Sequence, residues 1–287
     1  MVPQSANPLS KHFRQPKIYI RLPSEGLWYG NALEKTESGE YPVLSMTAKD
    51  ELSYKTPDAL LNGQATVDVI QSCIPNIKDA WKVPNIDLDV ILIAIRIATY
   101  GEKMDLTITV PGINEERGFE IDLRTVMDQF MTASFDNIVV VDEFQIEIQP
   151  ISYKSSNDIS IKTFEEQRIF SLLKNNNISE EDKLTRIRES FEKLTNINIE
   201  LVKNSIVSIR YNNDDAVVNK NYISEFIDNA DKKIYYAIVK HIENQRNKFT
   251  IRPFKTTLPP EDVERGAPEF LEIPITFDQA SFFGKGS

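Results

Sequence analysis

The chain has 287 residues, enough for one large or two ordinary domains, so a miniature stapled scaffold is excluded. With 41% apolar and 26% charged residues wholesale disorder is excluded, no apolar run reaches the roughly 18 residues of a membrane span, and the N-terminus lacks a secretory h-region. The net charge of −10 argues against generic nucleic-acid binding, and one cysteine (Cys73) with two histidines (His12, His241) leaves no material for a disulfide or a multi-thiolate metal site.

Residues 1–25 carry Pro3, Pro8, Pro16 and Pro23 without helical periodicity, while Lys17-Ile18-Tyr19-Ile20-Arg21-Leu22 alternates like a strand; the expectation is an extended N-terminal arm. Residues 1–150 hold 13 basic and 22 acidic side chains, yet the first acid is Glu25. Lys11, Arg14, Lys17 and Arg21 therefore form a cationic arm on an anionic domain. Together with His12, Phe13 and Tyr19 they make a candidate partner-binding segment, because Arg and aromatic side chains favour interfaces and opposite charges steer association. Docking on the chain's own acidic domain and docking on a neighbour both remain open.

Residues 26–150 read as an α+β domain. Thr47 is a plausible N-cap with Asp50 and Glu51 in the first turn, Thr56-Pro57-Asp58 starts a second helix, and Thr66 to Ile74 forms a third, stopped by Pro75. Cys73 lies on that third helix in an apolar pattern and reads as buried packing, not as a nucleophile. Asp87 opens the run Leu88 to Tyr100, which Gly101 closes. Being apolar all round, this run is the expected core helix, although its β-branched content leaves a buried strand open. Asp105 to Val110 and Gly118 to Leu123 predict a hairpin, Thr125 to Phe135 a short helix, and Asn137 to Ile148 one long strand.

Residues 151–248 read as an inserted helical module, with helical spacing over 159–173, 180–194, 197–209, 222–228 and 232–246. From Phe249 the strand signal resumes. Residues 249–287 are expected to return as a β-hairpin and C-terminal segment packing with the first domain. Phe282 and Phe283 serve either as an anchor in a partner's groove or as closure of the chain's own core.

Two segments echo each other without a gap. Thr109-Val110-Pro111 through Glu116-Arg117-Gly118 and Thr257-Leu258-Pro259 through Glu264-Arg265-Gly266 both lead into acidic-apolar strands. If the agreement is more than chance, two hairpins of one kind flank the helical module and pack together.

Asn7-Pro8-Leu9-Ser10-Lys11-His12-Phe13-Arg14-Gln15-Pro16, Leu22-Pro23-Ser24, Met46-Thr47-Ala48-Lys49-Asp50-Glu51, Thr56 to Gly63, Ile70-Gln71-Ser72-Cys73, Pro75-Asn76-Ile77 and Ile93-Ala94-Ile95-Arg96-Ile97-Ala98-Thr99-Tyr100-Gly101 carry a resemblance, dense over 7–101. The chain resembles the baseplate hub protein family of T-even-type contractile-tailed bacteriophages, and Phe277-Asp278 to Phe282-Phe283 is similar to that family's C-terminal end. The helical module matches nothing nameable. Members of the family resemble zinc knuckles at the first hairpin, with a Cys-Pro-x-Cys turn. Here Val110 and Ile113 stand at those positions, and the echo puts Leu258 and Glu261 at the corresponding ones. The hairpins then read as degenerate, metal-free knuckles.

The resemblance implies a non-enzymatic virion component of the tail baseplate, made in the host cytoplasm, whose partners are other baseplate or hub proteins. A transient assembly factor that leaves before the particle matures is the alternative. No cofactor, nucleic acid, membrane span or small-molecule substrate is expected, since there is no phosphate-binding Gly-rich loop, Gly-x-Ser-x-Gly elbow or His-Glu-x-x-His motif. His12 reads as a polar contact and His241 as solvated.

Overall fold

The computed structural model describes residues 7, 9, 12–54, 63–172 and 179–275. The expected second helix from Thr56, as well as Lys11, Phe282 and Phe283, lies outside the described residues. In chain order the first elements are β1 (Ile18–Ile20), β2 (Tyr41–Val43), α1 (Ala48–Tyr54), α2 (Gln64–Cys73) and α3 (Asn85–Tyr100). They are followed by β3 (Lys103–Val110), β4 (Glu115–Asp122) and α4 (Leu123–Met131).

At the centre of the first core is α3. Val90, Ile91, Ile93, Ala94 and Ile95 are fully buried, as a helix that is apolar on every face requires. Pro84 precedes its first turn, and Gly101 ends it at φ 95°, its N–H returning to Ile97 O. At α1, Thr47 Oγ1 accepts from Asp50 N while Asp50 Oδ2 accepts from Thr47 N, a reciprocal cap in which aspartate stands in the Glu/Gln position.

The N-terminal arm, left open between its own domain and a neighbour, pairs within the chain. From Ile18 onward it is a working part of the first core rather than an appendage: β1 pairs antiparallel with β2 (Ile18↔Val43, Ile20↔Tyr41), and Ile20 and Leu22 are buried. The cause lies in the alternation itself, which turns Ile20 and Leu22 inward and Tyr19 out.

The second core departs further from the expected layout. Asn137 to Ile148 is not one strand but a tight hairpin, β5 (Ile138–Val141) and β6 (Phe144–Ile148), reversed at Asp142 in the left-handed region (φ 50°). Helix α5 (Tyr153–Leu172) and the unbroken helix α6 (Glu180–Ser205) follow. The predicted helix over 197–209 therefore holds only as far as Ser205. Its last residues form β7 (Ile206–Tyr211), where β-branched Ile206 and Ile209 pair with Ile148 and Ile146 of β6, and a register shift between Glu147 and Ile148 leaves Val207 without an opposite residue. After it come α7 (Lys220–Asn229) and α8 (Lys232–Lys248).

Val139, Val141, Ile146 and Ile148 share one buried cluster with Ile206, Ile209, Ile223, Ile227, Ile234 and Ile238. The β5–β6 hairpin, although it precedes residue 151, thus packs with the helical module. Finally β8 (Phe254–Thr257), α9 (Pro260–Glu264) and β9 (Phe270–Ile273) bring Leu258, Ala267, Leu271, Ile273 and Ile275 back into the first core. Phe135, which packs against both cores, lies edge-on to Trp28 at 5.2 Å, and Trp81 stacks on Tyr153, the first residue of α5, at 5.5 Å.

Candidate partner-binding surfaces

Arg14 pins the arm to the first core. Its Nη2 donates to Ser72 O at 2.6 Å and Ser72 Oγ at 2.7 Å, and its Nη1 donates to Ser45 O and faces Asp50 Oδ2 at 3.3 Å. These bonds tie residues on α1 and α2 to the arm. Arg14, predicted as a contact for a partner, is thereby committed within the chain. The neighbouring side chains are not: Phe13 is 59% exposed and Tyr19 62%, with His12 and Lys17 also at the surface. Arg21 pairs with Glu40 at 3.2 Å across the β1–β2 ribbon, both ends exposed. The arm thus presents an aromatic and cationic edge while anchoring itself from the opposite side.

Removing the anchor has a defined expectation. Arg14→Ala loses several charge-assisted hydrogen bonds, and a cost of about 1–3 kcal/mol is expected in a urea titration, with faster thermolysin cleavage before Lys17. Arg14→Lys restores only part, since an ammonium cannot span Ser45, Ser72 and Asp50 together. An unchanged midpoint and cleavage pattern in Arg14→Ala would contradict the anchoring role.

The echoed segments meet face to face. Arg117 forks onto Asp262, with Nε to Oδ2 at 3.1 Å and Nη2 to Oδ1 at 2.8 Å; Arg265, its counterpart in the other unit, forks onto Glu115, with Nη1 to Oε2 at 3.1 Å. Each arginine holds an acid of the opposite hairpin. Asp262 and Glu115 are accordingly shifted below the usual carboxylate range, chiefly by hydrogen bonds from Arg117 and Arg265 respectively. Between the pairs, Gly112 sits against Gly266 so closely that a Cβ on Gly112 would overlap the Gly266 carbonyl.

At the knuckle positions Val110 and Leu258 are buried apolar side chains, Ile113 packs against the first core, and Glu261 is exposed. These side chains do not fit zinc, which takes thiolate, imidazole or carboxylate ligands converging on one point. Among the described residues no group of three or more His, Cys, Asp or Glu side chains gathers to hold a metal.

Other titratable groups speak to chemistry. Cys73 is buried beside Arg14, and burial pushes its thiol up to about 12 even though the Arg14 charge opposes the shift. A thiol held protonated is a poor nucleophile. His241, predicted as solvated, approaches Asp136 O at 2.8 Å through Nε2, which makes that nitrogen the N–H donor. Asp87 is wholly buried and accepts from Ser24 N at 2.7 Å, from Ser24 Oγ and from Tyr29 Oη at 2.8 Å. Sequence reasoning missed this knot: Asp87 reads as a helix-start acid, and nothing local reveals that Ser24 and Tyr29 come to meet it.

A family model described as T4 bacteriophage base plate protein matches residues 33–257, which takes in most of both cores and the whole first echoed segment and ends at Thr257, the first residue of the second. The chain belongs to this family. Neither the curated proteins nor the solved structures gave a match. As a T4-type baseplate protein the chain is a structural component of a phage baseplate, with the virion tail as its place and other baseplate proteins as its partners. Among the described residues no helix is long and apolar enough to cross a membrane. The match runs through the helical module, which therefore belongs to the family's shared body. It begins after the arm, at residue 33.

Proposed function

We propose that the chain is a non-enzymatic subunit of the hub region of a contractile-tail baseplate, acting through protein–protein contacts. The family match over 33–257 carries this reading. The chemistry described above supports it: the one cysteine is buried and protonated, and the two histidines serve as surface and hydrogen-bonding groups. The contact edge is the arm, with Phe13 and Tyr19 as apolar anchors and His12, Lys17 and Arg21 beside them, for aromatic side chains supply most binding energy where they are desolvated.

In this reading the echoed hairpins are knuckles that have exchanged a shared metal for two reciprocal Arg–carboxylate pairs. No cofactor, nucleic acid or small-molecule substrate enters, and the protein is made in the host cytoplasm before joining the tail. Quantitative mass spectrometry of purified virions tests the proposal. A fixed, stoichiometric number of copies per particle is expected, whereas absence from mature particles would make the chain a transient assembly factor.

A further inference from the structure

A cavity of about 460 Å³ lies between the two cores and serves nothing described so far. Protein interiors are otherwise close-packed, and a hollow of this size falls in the range of roughly 300–1,000 Å³ that ligand sites occupy. Its deep end is apolar: Ile86 from the first core and Ile148 and Val202 from the second are buried there. Phe135 and Tyr235 add aromatic walls, and exposed Glu243 and Arg246 of α8 stand at the mouth. The cavity is therefore reached from solvent on the α8 side, past a charged rim.

Its polar groups define what fits. Asn85 also lines the cavity, and its Oδ1 is buried with no hydrogen-bond donor among the described residues. A buried acceptor left unmet is costly, so the occupant brings a donor. An ammonium would lose its hydration against the apolar walls, and a phenylalanine ring has no donor to bring. An indole meets both demands, with a large aromatic body, one N–H and no acceptor of its own. The chain does not supply that indole itself. Its two tryptophans are packed outside the cavity, Trp28 edge-on to Phe135 and Trp81 stacked on Tyr153. A second copy of the chain has the same two and is set aside for the same reason.

We propose that this cavity receives a tryptophan side chain of another baseplate protein, its indole N–H donated to Asn85 Oδ1 and charged residues on either side of it met by Glu243 and Arg246. The inference rests on the baseplate reading above.

N-acetyl-tryptophanamide titrated into the full chain tests the site without knowledge of the partner. The amide NMR signals of Asn85, Ile151 and Leu201, which all line the cavity, should move along one saturable curve. The analogue methylated on the indole nitrogen should bind about tenfold more weakly, the loss of one hydrogen bond to a buried acceptor. Asn85→Leu should bind the two probes alike. Absence of saturable binding, or equal affinity of the wild type for both probes, overturns the proposal. So does N-acetyl-phenylalaninamide binding as tightly as the tryptophan probe.

Leu201→Trp carries the test into the particle, since its indole fills the cavity from within. The purified variant should melt at or above the wild type and lose probe binding. Baseplates from phage carrying it should contain at least about tenfold less of the chain. A folded variant that is incorporated normally overturns the docking; should it fail to fold, the comparison of the two probes on the wild type decides. Wild-type virions measured alongside keep the two readings apart: loss of the chain from those particles would fail the baseplate subunit, whereas the cavity stands or falls on the probes.

Discussion

Gly112→Ala is expected to release the returning hairpin from the first core. At φ 90° the residue occupies the left-handed half of backbone space, which costs an alanine about 1–2 kcal/mol. The new Cβ would in addition strike the Gly266 carbonyl, a backbone atom that no side-chain rotation can move aside. Relief requires the two turns to part, and parting lengthens both Arg–carboxylate forks at once. We expect a loss of about 3 kcal/mol or more, with amide exchange of 254–273 accelerating while the 206–211 strand keeps its protection.

Gly266→Ala provides the comparison. Gly266 also has positive φ, but its added Cβ would lie 4.0 Å from the nearest atom, Gly112 O, so only the backbone term of about 1–2 kcal/mol applies. Equal effects at the two glycines would contradict the close approach.

Asp87→Ala is the second large effect. The carboxylate is the shared acceptor for Ser24 N, Ser24 Oγ and Tyr29 Oη, and its removal leaves three donors stranded in the interior. A loss of about 3–5 kcal/mol is expected in chemical denaturation. Such a loss would free the loop after Leu22 from the core helix.

The intact protein has a matching pH signature. Burial raises the Asp87 carboxyl to about 6, against the pull of its three donors, and raises Asp89 to about 7. A carboxyl whose pKa is raised by folding is protonated in the native state while already ionised in the unfolded one. Its contribution is full below about pH 4 and is lost as pH climbs through 6 for Asp87 and 7 for Asp89, by about 2–3 kcal/mol for Asp87. Moving from pH 7 to pH 5 should therefore raise the melting temperature, and Asp87→Ala should show a shallower rise. A melting temperature that falls between pH 7 and 5 would contradict this account.

The parts of the molecule governed by local periodicity were legible in the chain itself. The core helix from Asn85 to Tyr100 follows from its all-round apolar run and its Gly101 stop, and the β3–β4 hairpin from alternation on either side of Pro111-Gly112. The echo at 109–118 and 257–266 also anticipated two facing hairpins, although which acid each arginine would hold depends on the approach of units some 145 positions apart.

What escaped was decided by tertiary pairing. Ile206 to Ile209 suits helix or strand equally, and the open edge of β6 selects strand. Asp142 reverses the chain where the pattern of alternation runs on unbroken. Arg14 looked like the other arm cations, but among the described residues it is Arg14 that reaches Ser72 and Asp50. Arg96 sits in the most recognisable stretch of the sequence, yet nothing local reveals that it is buried with no acceptor for its Nε or Nη1 among the described residues.

The most direct test is a cryo-electron microscopy map of the baseplate at side-chain resolution. The account predicts density for both cores of this chain in the tail, with Phe13 and Tyr19 buried against a neighbouring baseplate protein. Density for the chain with those two side chains facing solvent, or a complete baseplate without it, would contradict it.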